Sequence, residues 1–82
     1  MSYPRTSIML MPKTATVIRN IEKAARAAGL TFELQREGGN HSIYSLDGLI
    51  IPIPRHPSID TYLELRIHKQ CQPKLGKGWW RK

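Results

Sequence analysis

With one cysteine, Cys71, among 82 residues, the chain cannot close an internal disulfide. A fold stapled by such bridges is excluded, and a reducing cytoplasmic setting is expected. Long hydrophobic runs are missing as well. IMLM (Ile8 to Met11) and LIIPI (Leu49 to Ile53) are the longest, far below the ~20 apolar residues that span a bilayer, so no membrane role is expected. The opening MSYPRTSIMLMPK has neither the long apolar stretch nor the small-residue cleavage site of a secretory signal. His41, His56 and His68 are scattered, without an HxH or HExxH pair, so no metal site is expected. A chain this short has no room for a deep cofactor cavity either, and no cofactor is expected. Acidic residues are few: six Asp and Glu face thirteen Lys and Arg, giving a net charge of +7. That imbalance points to a polyanionic partner.

What is present suits one small domain with a modest core, about 40% of the residues being apolar. Residues 1–12 carry Pro4 and Pro12 and no clear period, and read as an extended leader. From Lys13 the pattern turns helical. Ile18, Ile21, Ala25 and Ala28 recur at steps of three and four, with Val17 and Ala24 beside them, and Gly29 stands where a left-handed cap ends a helix. LTFELQRE then alternates, with Leu30, Phe32 and Leu34 on one face, as a half-buried strand does. Gly38-Gly39-Asn40 signals a hairpin turn through tolerance of positive φ, and HSIYSL is the next strand. Asp47-Gly48 makes a second tight turn into LIIPI, whose Pro52 implies an edge position.

PRHPS breaks that strand. Ser58 is the expected cap of a second helix running from Ile59 to about Gln70, with Ile59, Tyr62, Leu63 and Ile67 on its apolar face. In this reading His68 faces solvent and Cys71 packs at the helix end. Residues 13–72 form the domain, and residues 73–82 a basic, flexible tail. The expected fold is α+β, a three-stranded antiparallel sheet with both helices on one face. Its α-β-β-β-α order is that of double-stranded-RNA-binding domains.

The stretch REGGNHSIYSLDGLIIPIPRH raises the question of function, because two glycines and an asparagine stand directly before His41. Cleaving RNA by internal attack requires a base for the 2′-OH proton and an acid for the leaving 5′-oxygen. An imidazole offers both forms near neutral pH. Glycines let a phosphodiester approach closely, and the N–H groups of the turn can face it. Arg36 can neutralise a non-bridging oxygen in the transition state. Arg36, Arg55 and Lys69 gather near the turn by topology, as candidates for phosphate contact. A lone histidine at a strand start is, by itself, most often an ordinary surface residue.

The AAGL helix end, the Gly-x-His turn, the PRH after a proline-containing strand and the IHKQ in the last helix together resemble the HicA toxins of bacterial type II toxin–antitoxin pairs. The resemblance spans roughly residues 14–72. It implies a dsRBD-like fold and a metal-independent mRNA interferase, neutralised by a HicB-like antitoxin that covers the active site. The toxin would then be a monomer alone and part of a hetero-oligomer with its antitoxin. Gly39 matches the family's glycine and His41 its catalytic histidine, while Asn40 stands where serine or threonine is common. Pro54 and His56 match the proline and histidine after the third strand. On this reading His41 is catalytic, and Arg36, Gly38, Gly39, Asn40, Arg55, His56 and Lys69 contact RNA. Trp79 and Trp80 either stack on unpaired bases or anchor the tail.

Two readings compete with the nuclease. A non-catalytic RNA-binding domain of the same topology would carry a lysine cluster at the start of its last helix, where this chain reads SIDTYLEL. A small basic interaction module would leave the GGNH turn without a purpose.

Overall fold

A computed structural model describes residues 13–81 of the chain. The extended leader expected for residues 1–12 lies outside the described residues, as does Lys82. In chain order the elements are α1 (Thr14–Ala27), β1 (Phe32–Glu37), β2 (His41–Leu46), β3 (Leu49–Pro54), α2 (Thr61–Gln70) and the short α3 (Gln72–Leu75). The strands form one antiparallel sheet in the order β1-β2-β3, an α-β-β-β-α domain extended by α3.

Helix α1 buries Val17, Ile21 and Ala25, a stripe stepping by four, and leaves Arg19, Lys23 and Arg26 exposed. Ala28, expected on that stripe, is exposed because the helix has already ended. Gly29 takes φ +73°, its N–H bonds the Arg26 carbonyl (3.1 Å), and the Leu30 N–H bonds the Ala25 carbonyl (2.8 Å). That double bond is the Schellman arrangement, and it turns Leu30 inward onto the core. At the other end, the Thr14 N–H donates to the Pro57 carbonyl (3.0 Å) and the Thr14 hydroxyl to the His56 carbonyl. Part of the first turn's unpaired donors is thus met by the segment that follows β3.

In the sheet, Phe32 pairs with Leu46 and Leu34 with Tyr44; the step then slips, and Arg36 pairs with Ile43 and Glu37 with Ser42. Gln35 is the extra residue of a β-bulge. Leu34 keeps the helix-side parity of Tyr44 but is 47% exposed, because β1 is an outer strand with a neighbour on one side only. The second turn needs left-handed backbone, with φ of +52° at Asp47 and +90° at Gly48. The first turn does not. Neither Gly38, Gly39 nor Asn40 has positive φ, contrary to the reason expected for them. Gly38 is required instead for close approach, since a Cβ there would lie 3.1 Å from the His41 carbonyl oxygen.

β3 is the other edge, and it carries its prolines at harmless places. The Arg55 N–H donates to the Asn40 carbonyl (3.2 Å), which makes His41–Pro54 and Ile43–Pro52 non-hydrogen-bonded pairs. The N–H that each proline lacks would have pointed away from β2.

Helix α2 starts later than expected. Asp60, not Ser58, is its N-cap, and its carboxylate accepts the Leu63 N–H at 2.7 Å. Ser58 is taken up in a bridge with Lys13, and Ile59 enters the core ahead of the helix. Tyr62, expected on the apolar face, is 70% exposed. The core joins Val17, Ile21 and Ala25 of α1, Leu46, Ile51 and Ile53 of the sheet, and Ile59, Ile67 and Cys71 around α2. Both long helices therefore cover one face of the sheet. Glu33, Arg36, His41, Ile43, Ser45, Ile50 and Pro52 share the other face by register.

The largest departures from the sequence reading lie at the C-terminus. His68, expected in solvent, is buried at 6% exposure, and the segment expected as a flexible tail is folded onto it. After α3, the positive-φ glycines Gly76 and Gly78 bring the chain back. The Trp79 indole N–H then bonds the His68 carbonyl (2.8 Å), Trp79 meets the imidazole edge-on, and Trp80 stacks on it. The bland expectation for the tryptophans, anchoring the tail, is the arrangement found.

Candidate functional site

Four of the residues singled out in the sequence, Gly38, Gly39, Asn40 and His41, sit together where β1 turns into β2. The hairpin closes through the Gly38 N–H, which donates to the His41 carbonyl at 2.8 Å. His41 begins β2 with its side chain on the uncovered face of the sheet, exposed to solvent. The bulge at Gln35 places Arg36 on that same face. Strict alternation from Phe32 and Leu34 would have sent it to the helix side. Ile43, opposite Arg36, is two residues along β2 from His41, so the guanidinium and the imidazole lie diagonally across one ladder. Ile43, Pro52 and Ile50 supply an apolar floor next to them.

Arg55 behaves differently from its expected role. Its guanidinium ion-pairs with the Glu37 carboxylate at 2.9 Å. It also donates to the carbonyls of Gly38 (2.9 Å) and His41 (3.2 Å) and to that of Gly39. Arg55 is therefore occupied as a clamp on the hairpin rather than presented outward to a phosphate. Glu37 is held from the other side by the Ser42 hydroxyl, which donates to it at 2.8 Å. The Ser42 hydrogen bond, followed by the bond from Arg55, sets the Glu37 carboxyl below its ordinary value. Neither Glu37 nor Ser42 stood out in the sequence. The only local hint was a small polar residue at an inward-facing place of an otherwise apolar strand.

The remaining candidates lie apart from the hairpin's hydrogen bonds. His56 is exposed, and its backbone carbonyl receives the Thr14 hydroxyl. Lys69 is exposed in the last turn of α2, and no hydrogen bond or ion pair among the described residues links it to the turn. His68 belongs to another part of the molecule. Its Nε2 is buried without a hydrogen-bond partner among the described residues, and burial lowers its pKa below the ordinary 6.5. A cavity of about 770 Å³ beside it, between α1 and α2, is lined by Asn20, Lys23, Ala24, Leu65 and Trp80 and by no residue of the hairpin.

Among the described residues no cluster of His, Cys, Asp or Glu could hold a metal ion, and no helix is long and apolar enough to cross a membrane. Cys71, fully buried at the junction of α2 and α3, has its thiol pKa pushed up to about 12 by burial. It is no candidate nucleophile. Comparison of the chain with family models, with curated proteins and with solved structures finds no match. The functional reading therefore rests on the residues and their geometry.

Proposed function

We propose that the chain is a metal-independent endoribonuclease of the HicA toxin type, which cleaves mRNA and so arrests translation in the cytoplasm. The observation that carries this reading is the pairing of an exposed imidazole, His41, with an exposed guanidinium, Arg36, on the one sheet face that no helix covers. The glycine-bounded turn beside them keeps the backbone open to a phosphodiester. In the proposed reaction His41 exchanges a proton with the 2′-OH or with the leaving 5′-oxygen, and Arg36 neutralises charge building on the phosphorus oxygens. His56 and Lys69 add phosphate contact at the periphery, consistent with the net charge of +7. A HicB-like antitoxin would silence the enzyme by covering this face. The toxin would be a monomer alone and would join a hetero-oligomer when neutralised.

The test is an inducible growth assay of wild type and His41→Ala, with cleavage of purified RNA in EDTA. Growth arrest and cleavage by wild type alone support the reading. Equal RNA binding by both proteins, with no cleavage and no arrest, would turn the domain into a non-catalytic RNA binder.

A further inference from the structure

The clamp made by Arg55 fixes more than the shape of the turn. All described peptide bonds are trans, and in a trans peptide the carbonyl and the following N–H point in opposite directions. The carbonyls of Gly38 and Gly39 are both drawn onto the Arg55 guanidinium. The N–H groups of Gly39 and Asn40 must then point away from it. The guanidinium sits on the helix side of the sheet, for it is bound to Glu37, which pairs with the buried Ser42 on that side. Away from it therefore means toward the open face, where the side chains of His41 and Arg36 are.

Neither of these two N–H groups has a hydrogen-bond partner among the described residues. Gly39 leaves the space above them free: a Cβ built there would meet no atom within 4 Å. Two adjacent, unpaired backbone donors aimed at one point form a small anion-binding concavity.

We infer that the Gly39 and Asn40 N–H groups form a phosphate-binding nest, and that Arg55 is the positioning residue that turns them toward the substrate. The inference rests on the ribonuclease reading for its ligand, the phosphodiester of RNA. It changes the part played by Arg55, which acts through the carbonyls it holds and does not touch the phosphate. One non-bridging oxygen binds the two amides while the other faces Arg36. The phosphorus is thereby brought beside the His41 imidazole. A preorganised pair of amides costs no rearrangement when charge develops on the oxygen.

The experiment is a titration of ¹⁵N-labelled protein with inorganic phosphate and then with a 2′-deoxy dinucleotide that cannot be cleaved. The expected result is a saturable downfield shift of the Gly39 and Asn40 amide protons, undiminished in His41→Ala. In Arg55→Met, checked by circular dichroism for an intact fold, phosphate binding at these amides should weaken about tenfold, the loss of aimed donors to a charged group. Shifts spread evenly over the basic surface, or a phosphate-dependent shift of the Arg55 guanidinium itself, would overturn the inference. The two readings fail separately. A protein that never cleaves RNA but titrates at these amides keeps the nest and loses the nuclease. One that cleaves RNA while the amides stay unmoved keeps the nuclease and loses the nest.

Discussion

Arg36 stands opposite Ile43 across the β1–β2 ladder, one place out of the step set by Leu34 and Tyr44. The single extra residue, Gln35, is what carries a guanidinium from the helix-covered side of the sheet to the side that holds His41. On a three-stranded sheet with one free face, this decides which charges a polyanion can reach.

Arg36→Ala should leave the fold intact, because the side chain is exposed and holds nothing in place. It should weaken RNA binding and reduce the slope of log affinity against log salt by about one, the loss of one phosphate contact. Fluorescence anisotropy with a labelled single-stranded RNA over a salt series measures both. An unchanged slope would remove Arg36 from the interface.

The start of α2 separates two neighbouring candidates for its cap. Asp60→Ala removes the carboxylate that accepts the Leu63 N–H and should cost about 1 kcal/mol in urea unfolding. Ser58→Ala, the change that sequence alone marks as damaging, should stay within about 0.5 kcal/mol. Equal losses would contradict the assignment of Asp60 as the cap.

Stability should fall on acidification in two stages. His68 is buried neutral and its pKa is lowered by burial, against a weaker opposing effect of Glu64. Its contribution is complete above the unfolded value near 6.5 and is lost as pH falls through its folded value. Glu37, lowered by the Ser42 and Arg55 hydrogen bonds, is complete above about 4.5 and is lost below that. Urea midpoints taken between neutral and acid pH should show both stages, and His68→Phe should remove the upper one alone. A rise in stability below pH 6.5 would contradict the burial of a neutral imidazole.

The thiol of Cys71, with its pKa at about 12 and no exposed surface, should resist alkylation in the native state. Adding denaturant should expose one reactive thiol per chain, with the alkylation midpoint matching the unfolding midpoint. Prompt labelling of the native protein would show that α3 and the tryptophan pair do not close over the end of α2.

The order of elements was legible in the sequence because its signals are local. The four-residue step of Val17, Ile21 and Ala25, the glycine after the helix and the Asp47-Gly48 turn each act within a few residues. The exposed place of His41 after a close turn was legible for the same reason. The bulge was not, since one added residue in an alternating strand looks the same whichever position carries it. Nor was the duty of Arg55, whose partners Glu37, Gly38, Gly39 and His41 lie 14 to 18 residues earlier. The burial of His68 depends on Trp79, 11 residues later, and on two glycines that reverse the chain between them. Local periodicity determined which segments are helix and strand. The tertiary structure alone decided which polar groups are spent on the fold and which stay free to meet a ligand. That depends on hydrogen bonds and packing between residues far apart in the chain.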